Sequence, residues 1–494
     1  YSHLPFKIPI PIQVNCRDIQ ESQVTESCRK RKLHVAQDID DGKDVISSLP
    51  NCVLSHILSF LPTKDAVGSC ILSRRWQDLW TGLPNIDFDD RQVYCRSMNL
   101  SEKPISFFDL APFHNFVERV LIHRDVTYIT RFRLSCRVWC ETRVSSWISS
   151  AIRRNVKELE LFLELHNPFH LPPRVFNCSS LRTLKICMEC TLKLPNNVFL
   201  PNLRTLYLGA VGFSDEESVN KLFSGCPALE ELKLIDCSWE KLESITISIP
   251  SLKSLRIDEL FYMLSVNKRN DCIIKLELPN LVSFEFLGGL FNGIVIENQL
   301  SQLTHATVFI LERPWCNFNT TLPPDVFNLF TRLKHATVLR VSSSTIKTLF
   351  VAEGFLGQLP LFQKLTRLEL NVCIEDVSPE VLLKFLVGFP CLEILVFHEG
   401  AVSDQLELQH DVCSIISQPS CYLPKLKMVN LCFIHGGSVG QMYVLKNVVD
   451  IAPALQKVSI FCCSKMGSIE KDEIARKVQM LLDVCKGNFT VLFS

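Results

Sequence analysis

The chain lacks an excess of either charge. Lys plus Arg and Asp plus Glu both number 52 in 494 residues, so no global field draws it to nucleic acid or to an anionic membrane. It also lacks any charge-free apolar run of roughly 18 residues, the length a spanning helix needs. The N-terminal YSHLPFKIPIPIQVN is apolar, but Pro5, Pro9 and Pro11 interrupt it, and the layout of a signal peptide is missing. The first residue is Tyr1 rather than Met, which fits a fragment of a longer chain.

Catalytic signatures are sparse as well. There is no Gly-Lys-Ser/Thr phosphate loop, no zincin helix motif and no dinucleotide fingerprint. Gly436-Gly437-Ser438-Val439-Gly440 spells a nucleophile elbow. The hydrolase order then needs a His after the Ser, and His435 is the last His in the chain. Other triad orders exist on other folds. The plainer alternative is a glycine-rich loop between a strand and a helix. Cys187 and Cys190 have the spacing of a zinc knuckle, but no second pair lies near them, so packed thiols are the alternative. The 22 cysteines follow no framework spacing. They read as reduced core thiols of a cytoplasmic or nuclear protein. Nothing here calls for a cofactor or a metal, and the chain is read as a non-enzyme.

What the chain does have is apolar substance. Hydrophobic residues make up 47% and charged residues 21%, the balance of a globular protein with a large core. The length allows roughly three domains of about 150 residues each. Residues 1–43 lack apolar periodicity and read as a disordered leader. The basic run Arg29-Lys30-Arg31-Lys32 within it suits a nuclear import signal, or simply a solvated tail.

The stretch from Asp44 to Trp80 packs three helix signals into a short span. Pro50 sits at a helix start, where its missing N–H costs nothing. Val53, Leu54, Ile57, Leu58 and Leu61 follow at helical spacing, and Pro62 ends the helix. Thr63 is placed to cap a second helix carrying Ala66, Val67 and Cys70. Ser73 is placed to cap a third, with Trp76 and Trp80 on one face. Helices this short cannot bury that apolar surface among themselves. It folds back on the rest of the chain or meets a partner.

These residues resemble an F-box, in the form found in a plant family of F-box, leucine-rich-repeat and FBD proteins. The pattern runs through Asp44, Ile46, Leu49-Pro50, Leu54, Ile57-Leu58 and Phe60-Leu61-Pro62-Thr63-Lys64. It continues through Ala66-Val67, Ile71-Leu72-Ser73, Arg75-Trp76 and Leu79-Trp80. Asn51 stands where Asp is usual, and Cys70 where a small hydroxyl is. The resemblance implies that residues 44–82 dock a Skp-type adaptor and through it a cullin ubiquitin ligase. The expected contacts are Leu49, Pro50, Leu54, Ile57, Leu58, Leu61, Pro62, Val67, Leu72, Trp76 and Trp80.

Residues 83–155 read as a connector with a helix around Phe116 to Leu121 and a strand at Ile129 to Leu134. A strongly amphipathic helix follows on Val144, Trp147, Ile148, Ala151 and Ile152. By the same resemblance, it caps the first repeat. From Val156 a unit recurs: apolar, two variable, apolar, one variable, apolar. It starts at Leu181, Leu203, Leu229, Leu252, Leu281, Leu365, Leu392, Leu426 and Leu455. Two copies reach the Cys position of the repeat, at Cys237 and Cys373. Pro201, Pro227, Pro250, Pro279, Pro390, Pro424 and Pro453 each stand two residues before the first Leu. A fixed φ there sets the entry into a strand. Ser214 with Glu217 spells a capping box closed by Gly225, and Ser378 with Pro379 opens another helix. The fold expected is α/β: a three-helix F-box, then an irregular leucine-rich-repeat solenoid with a parallel sheet on its concave face and helices on its convex face. The repeats span 156–409, and an FBD-like end spans 410–494. From about Leu287 to Arg340 the units are degenerate and the pattern assigns no strands.

Side chains alternate along a strand. The residue between the last two apolar positions of each unit therefore faces out. This gives Glu160, Lys185, Tyr207, Lys233, Arg256, Glu285, Glu369, Val396, Asn430 and Ser459. The mixed row suits a folded protein target, with Tyr207 and Arg256 as first choices for anchors. Lys233, Glu285 and Glu369 complete the candidate target-binding set.

Overall fold

The computed structural model describes residues 45–91, 107–124, 128–239, 242–259, 272–289, 293–310, 325–351, 359–371, 377, 379–398, 423–433, 439–462, 467–483 and 490–493. The leader with its basic run, Asp44, Cys373, Ser378, and His435, Gly436, Gly437 and Ser438 lie outside the described residues, whereas Val439 and Gly440 open the helix Val439–Asp450. The chain divides into two units, 1–54 and 55–494. In the first, the short helix Val45–Ser48 is followed by the start of the helix Asn51–Leu58. The Pro50 carbonyl accepts the Val53 and Leu54 N–H groups at 3.0 and 3.1 Å.

In the second unit, the helix Thr63–Gly68 is followed by three short 3₁₀ turns, Ser69–Ile71, Arg74–Trp76 and Leu79–Gly82. Two expected caps are absent. The Thr63 hydroxyl accepts the Asp87 N–H at 2.8 Å instead of capping its own helix. Ser73 is extended and makes no side-chain cap, so Trp76 and Trp80 lie on separate 3₁₀ turns rather than on one helix.

The strands, in chain order, are β1 (Asn85–Asp89), β2 (Arg131–Val138), β3 (Glu158–Leu165), β4 (Thr183–Thr191), β5 (Thr205–Gly212) and β6 (Glu231–Ile235). They continue as β7 (Ser244–Ser248), β8 (Ser254–Asp258), β9 (Ile273–Glu277), β10 (Ser283–Gly288), β11 (Ile294–Ile296) and β12 (His305–Ile310). The last six are β13 (Val338–Ser342), β14 (Arg367–Asn371), β15 (Ile394–His398), β16 (Met428–Phe433), β17 (Lys457–Cys462) and β18 (Thr490–Phe493). All but β7, β9 and β11 form one 15-stranded sheet in chain order, from β1 to β18. Its pairs are parallel throughout, as in a leucine-rich-repeat solenoid. The sheet thus begins at Asn85, within the stretch expected to be a connector, and the helix Glu141–Arg153 lies between its second and third strands. The degenerate region supplies β12 and β13.

The proline regularity has a local cause. Before the strands that the prolines precede, a tight turn closes, with the first Leu donating three residues back. Leu203 bonds to Leu200 at 3.2 Å, Leu229 to Cys226 at 3.1 Å, Leu252 to Ile249 at 3.1 Å and Leu281 to Leu278 at 3.2 Å. Pro201, Pro227, Pro250 and Pro279 are the second residues of these turns, where φ near −65° is wanted and no N–H is used. The same turns precede Leu392, Leu426 and Leu455, with Pro390, Pro424 and Pro453 in that place. Where the degenerate unit before β12 turns, Leu303 bonds to Leu300 at 3.2 Å with Ser301 in the proline position.

Alternation then sorts the two faces. On β4, Leu184, Ile186 and Met188 are buried, whereas Thr183, Lys185 and Cys187 turn to the other side. The buried set joins Val144, Trp147, Ile148 and Ala151 of the helix Glu141–Arg153 in one continuous core. A second, smaller parallel sheet, β11-β9-β7, forms from strands that the repeat pattern does not mark. The helix Glu216–Ser224 is capped one residue later than its box suggests. Asp215, not Ser214, accepts the Ser218 N–H, at 2.7 Å, and Ser214 donates to Asp215 at 2.6 Å.

Candidate functional site

Two surfaces of the second unit carry chemistry. The first is apolar. Ile57 is 43% exposed, Phe60 74%, Leu61 43%, Ile71 86% and Leu72 65%. Phe60-Leu61 and Ile71-Leu72 are adjacent pairs at the ends of helical segments, so the chain has already turned when it reaches them. Burial of several such side chains stabilises an interface by about 1.5–3 kcal/mol each. Exposed apolar side chains of this size, where they form one patch, are what a docking surface is built from.

The second surface is the face of the sheet away from the core. The register places Asp87, Arg133, Glu160, Lys185, Tyr207, Lys233, Arg256 and Glu285 side by side on successive strands. Thr307, Arg340, Glu369, Val396, Asn430 and Ser459 continue the row. The residues read from the repeats do lie in one line, and Thr307 and Arg340 fill its gap, but Glu160, Val396 and Ser459 are buried, at 4%, 3% and 5% exposure.

Most of the row's charges are already partnered. Arg133 lies 2.7 Å from Asp87. Glu160 accepts from Arg131 at 3.0 Å and from Lys185 at 3.1 Å. Lys233 pairs with Glu231 at 2.7 Å. Arg256 bridges Glu285 at 3.1 Å and Asp258 at 2.9 Å. Glu369 binds Arg367 at 2.6 Å and His398 at 3.2 Å. Those two partners hold the Glu369 carboxyl down, to about 2, with the His398 bond the larger influence. Tyr207 stands among these pairs half-buried, and burial pushes its phenol well above the ordinary range.

Comparison with known proteins assigns these surfaces to recognised modules. Residues 46–87 match the F-box domain. Residues 144–286 match the leucine-rich repeats of the FBD-associated F-box protein At5g56370. The F-box/LRR-repeat protein At4g14103 of Arabidopsis thaliana is 32% identical over 391 residues, which is 76% of this chain and 97% of the relative. The chain belongs to the F-box/LRR-repeat family. At3g59190, another F-box/LRR-repeat protein of Arabidopsis thaliana, is 30% identical over 395 residues, 77% of this chain and 98% of its own length. At3g59210, of the same description and organism, is 30% identical over 461 residues, covering 89% and 92%.

Within this F-box/LRR-repeat chain, the expected adaptor contacts divide by exposure. Pro50, Ile57, Leu61, Pro62 and Leu72 are exposed, and Leu49 is half-buried. Leu54, Leu58 and Trp76 are instead buried, at 0%, 1% and 9% exposure. Helical spacing could not separate them from Ile57 and Leu61, because a narrow stripe has an inner and an outer edge. Val67 and Trp80 are half-buried against the core of the second unit. Phe60 and Ile71, the most exposed of the cluster, were not among the expected contacts. The sequence signal for them is the doubled apolar pair at a helix end, where two neighbours cannot both point inward. On the sheet, Tyr207, Lys233, Arg256, Glu285 and Glu369 fall in the one row, but four of the five are in ion pairs. Cys187 and Cys190 both lie on β4, and burial raises each thiol to about 11. Among the described residues, no group of three or more His, Cys, Asp and Glu side chains is placed to hold a metal ion.

Proposed function

We propose that this protein is the substrate-recognition subunit of an SCF-type cullin ubiquitin ligase. The F-box binds a Skp-type adaptor, and the repeats bind the protein to be ubiquitinated. The observation that carries this reading is the exposed apolar cluster of Ile57, Phe60, Leu61, Ile71 and Leu72 within the F-box match. The long parallel sheet supports the second half of the reading. It offers a row of charged side chains of both signs with Tyr207 among them, over a length that suits a folded partner. The protein acts as a receptor without chemistry of its own, in the nucleus or cytoplasm.

Capture of a Skp-type adaptor by the full chain tests the reading. The wild type is expected to co-purify with the adaptor, and Phe60→Asp with Ile71→Asp is expected to lose it. Proteins captured through the repeats then rise in level when the proteasome is blocked, and only if the F-box is intact. A chain that captures proteins but no adaptor is a repeat scaffold, and the ligase reading fails.

A further inference from the structure

An open cleft of about 580 Å³ lies between the helix Glu141–Arg153 and two loops, and two cations, Arg153 and Lys193, line it. That volume lies within the roughly 300–1,000 Å³ of small-molecule sites. One wall is the polar stripe of the helix. Thr142, Ser145, Ser146 and Ser149 recur at i, i+3, i+4 and i+7 and all line the cleft. The opposite stripe of the same helix, Val144, Trp147, Ile148 and Ala151, is buried in the core. The hydroxyl wall is therefore fixed in position by packing behind it.

Three nitrogen-bearing side chains, with Leu171 and Leu194 beside them, line the rest of the cleft. Arg153 comes from the end of the helix, His170 from the loop after β3, and Lys193 from the loop after β4. No carboxylate is among the lining residues. Among the described residues, none of the three takes part in an ion pair, whereas Arg131, Lys185, Lys233, Arg256 and Arg367 on the sheet all do. Pro172, Pro173 and Pro195 stand in the two loops, and each fixes a backbone torsion beside the cleft.

We infer that this cleft binds the phosphoryl groups of an anionic ligand. A guanidinium, an ammonium and an imidazole offer N–H donors to phosphate oxygens, and Arg and Lys recognise phosphate in complementary ways. The four hydroxyls add short donors that carry no charge. A carboxylate ligand would satisfy fewer of them, because it has two oxygens to share. The site is independent of the adaptor surface and of the row on the sheet.

Titration calorimetry on the full chain, with inorganic tripolyphosphate as the probe, tests this. Saturable one-to-one binding that weakens with added salt is expected. Arg153→Gln and Lys193→Gln should each weaken it about tenfold, the loss of one charge-assisted hydrogen bond. Arg204→Gln with Lys253→Gln, on the strand-entry loops, should leave it unchanged. Unaltered melting of each variant separates lost binding from lost folding. A capped phosphoserine peptide forms the second arm. Tighter binding than tripolyphosphate places the phosphoryl group on a protein, and weaker binding places it on a small molecule. Absence of saturable binding, or equal loss in the Arg204 and Lys253 control, overturns the inference.

Discussion

Arg256 and Glu285 are partners in register on β8 and β10, and their side chains meet at 3.1 Å. The same guanidinium reaches Asp258 at 2.9 Å. One cation thus serves two carboxylates, and Asp258 is nearly buried, at 8% exposure.

Arg256→Ala leaves both carboxylates without that cation. We expect a loss of about 1–3 kcal/mol in stability, because an ion left partly buried is costly. Urea denaturation measures it. Arg256→Ala is for this reason a poor probe of target binding, and Tyr207→Ala is the better one. If Arg256→Ala unfolds at the wild-type midpoint, the bridge contributes nothing.

The position of this pair was legible before its energetics were. The repeat spacing and period-two alternation place Arg256 and Glu285 on one face, and the register bears that out. What the pattern does not carry is the contact along β8 to Asp258, two residues on, or the sharing of Glu160 between Arg131 and Lys185. Such contacts depend on which long side chain leans toward which strand. β2 answers the strand expected at Ile129 to Leu134, whereas β1 escaped for a related reason. Asn85–Asp89 has only two apolar residues, Ile86 and Phe88, too few to show a repeat. Thr63 and Ser214 read as caps by local chemistry alone, and in each case a second partner, Asp87 N–H or Asp215, took the hydroxyl. The F-box was legible as a module, but its inner and outer apolar residues were not.

The pairing of His398 with Glu369 gives stability a defined pH window. His398 is held up, to about 9, first by the Cys432 side chain and then by Glu369. Its contribution is whole below its ordinary 6.5 and is lost as pH rises through about 9. Glu369 is held down, to about 2, so its contribution is whole above its ordinary 4.5 and is lost as pH falls through about 2. The two overlap fully between 4.5 and 6.5. Urea midpoints of wild type and His398→Gln should therefore differ most in that window and converge toward pH 9. A difference that stays constant up to alkaline pH would show that the imidazolium is not what stabilises the wild type.

Gly225 ends the helix Glu216–Ser224 with an ordinary helical φ of −72°, so backbone freedom is not why it is there. A Cβ on it would meet the Val198 carbonyl oxygen at 2.6 Å and the Val198 Cγ1 at 2.7 Å. That carbonyl belongs to the loop leading into β5, and the Gly225 carbonyl accepts the Leu200 N–H at 2.8 Å. Gly225→Ala must push two adjacent repeats apart or break that bond. The expected cost is about 1–3 kcal/mol, read as a lower melting temperature. An unchanged melting temperature would mean that the Val198 loop yields freely.

The F-box offers a test in which neighbouring apolar residues should behave in opposite ways. Phe60 and Ile71 are exposed at 74% and 86%, whereas Leu58, two residues before Phe60, is 1% exposed. Phe60→Ala or Ile71→Ala removes surface that only a partner can cover. Each should leave the melting temperature in place and weaken adaptor capture by about 2 kcal/mol, the scale of an interface anchor. Leu58→Ala removes a core side chain, and about 2–5 kcal/mol of folding stability should go with it. Adaptor binding by that variant then falls only as far as its folded fraction does. Leu58→Asp would buy nothing as a contact test, because a buried carboxylate unfolds the module before any interface is probed. Denaturation and adaptor titration on the same preparations decide the matter. If Phe60→Ala and Ile71→Ala bind as the wild type does, while Leu58→Ala loses adaptor without losing stability, the docking face is the inner edge of the stripe and not the outer one.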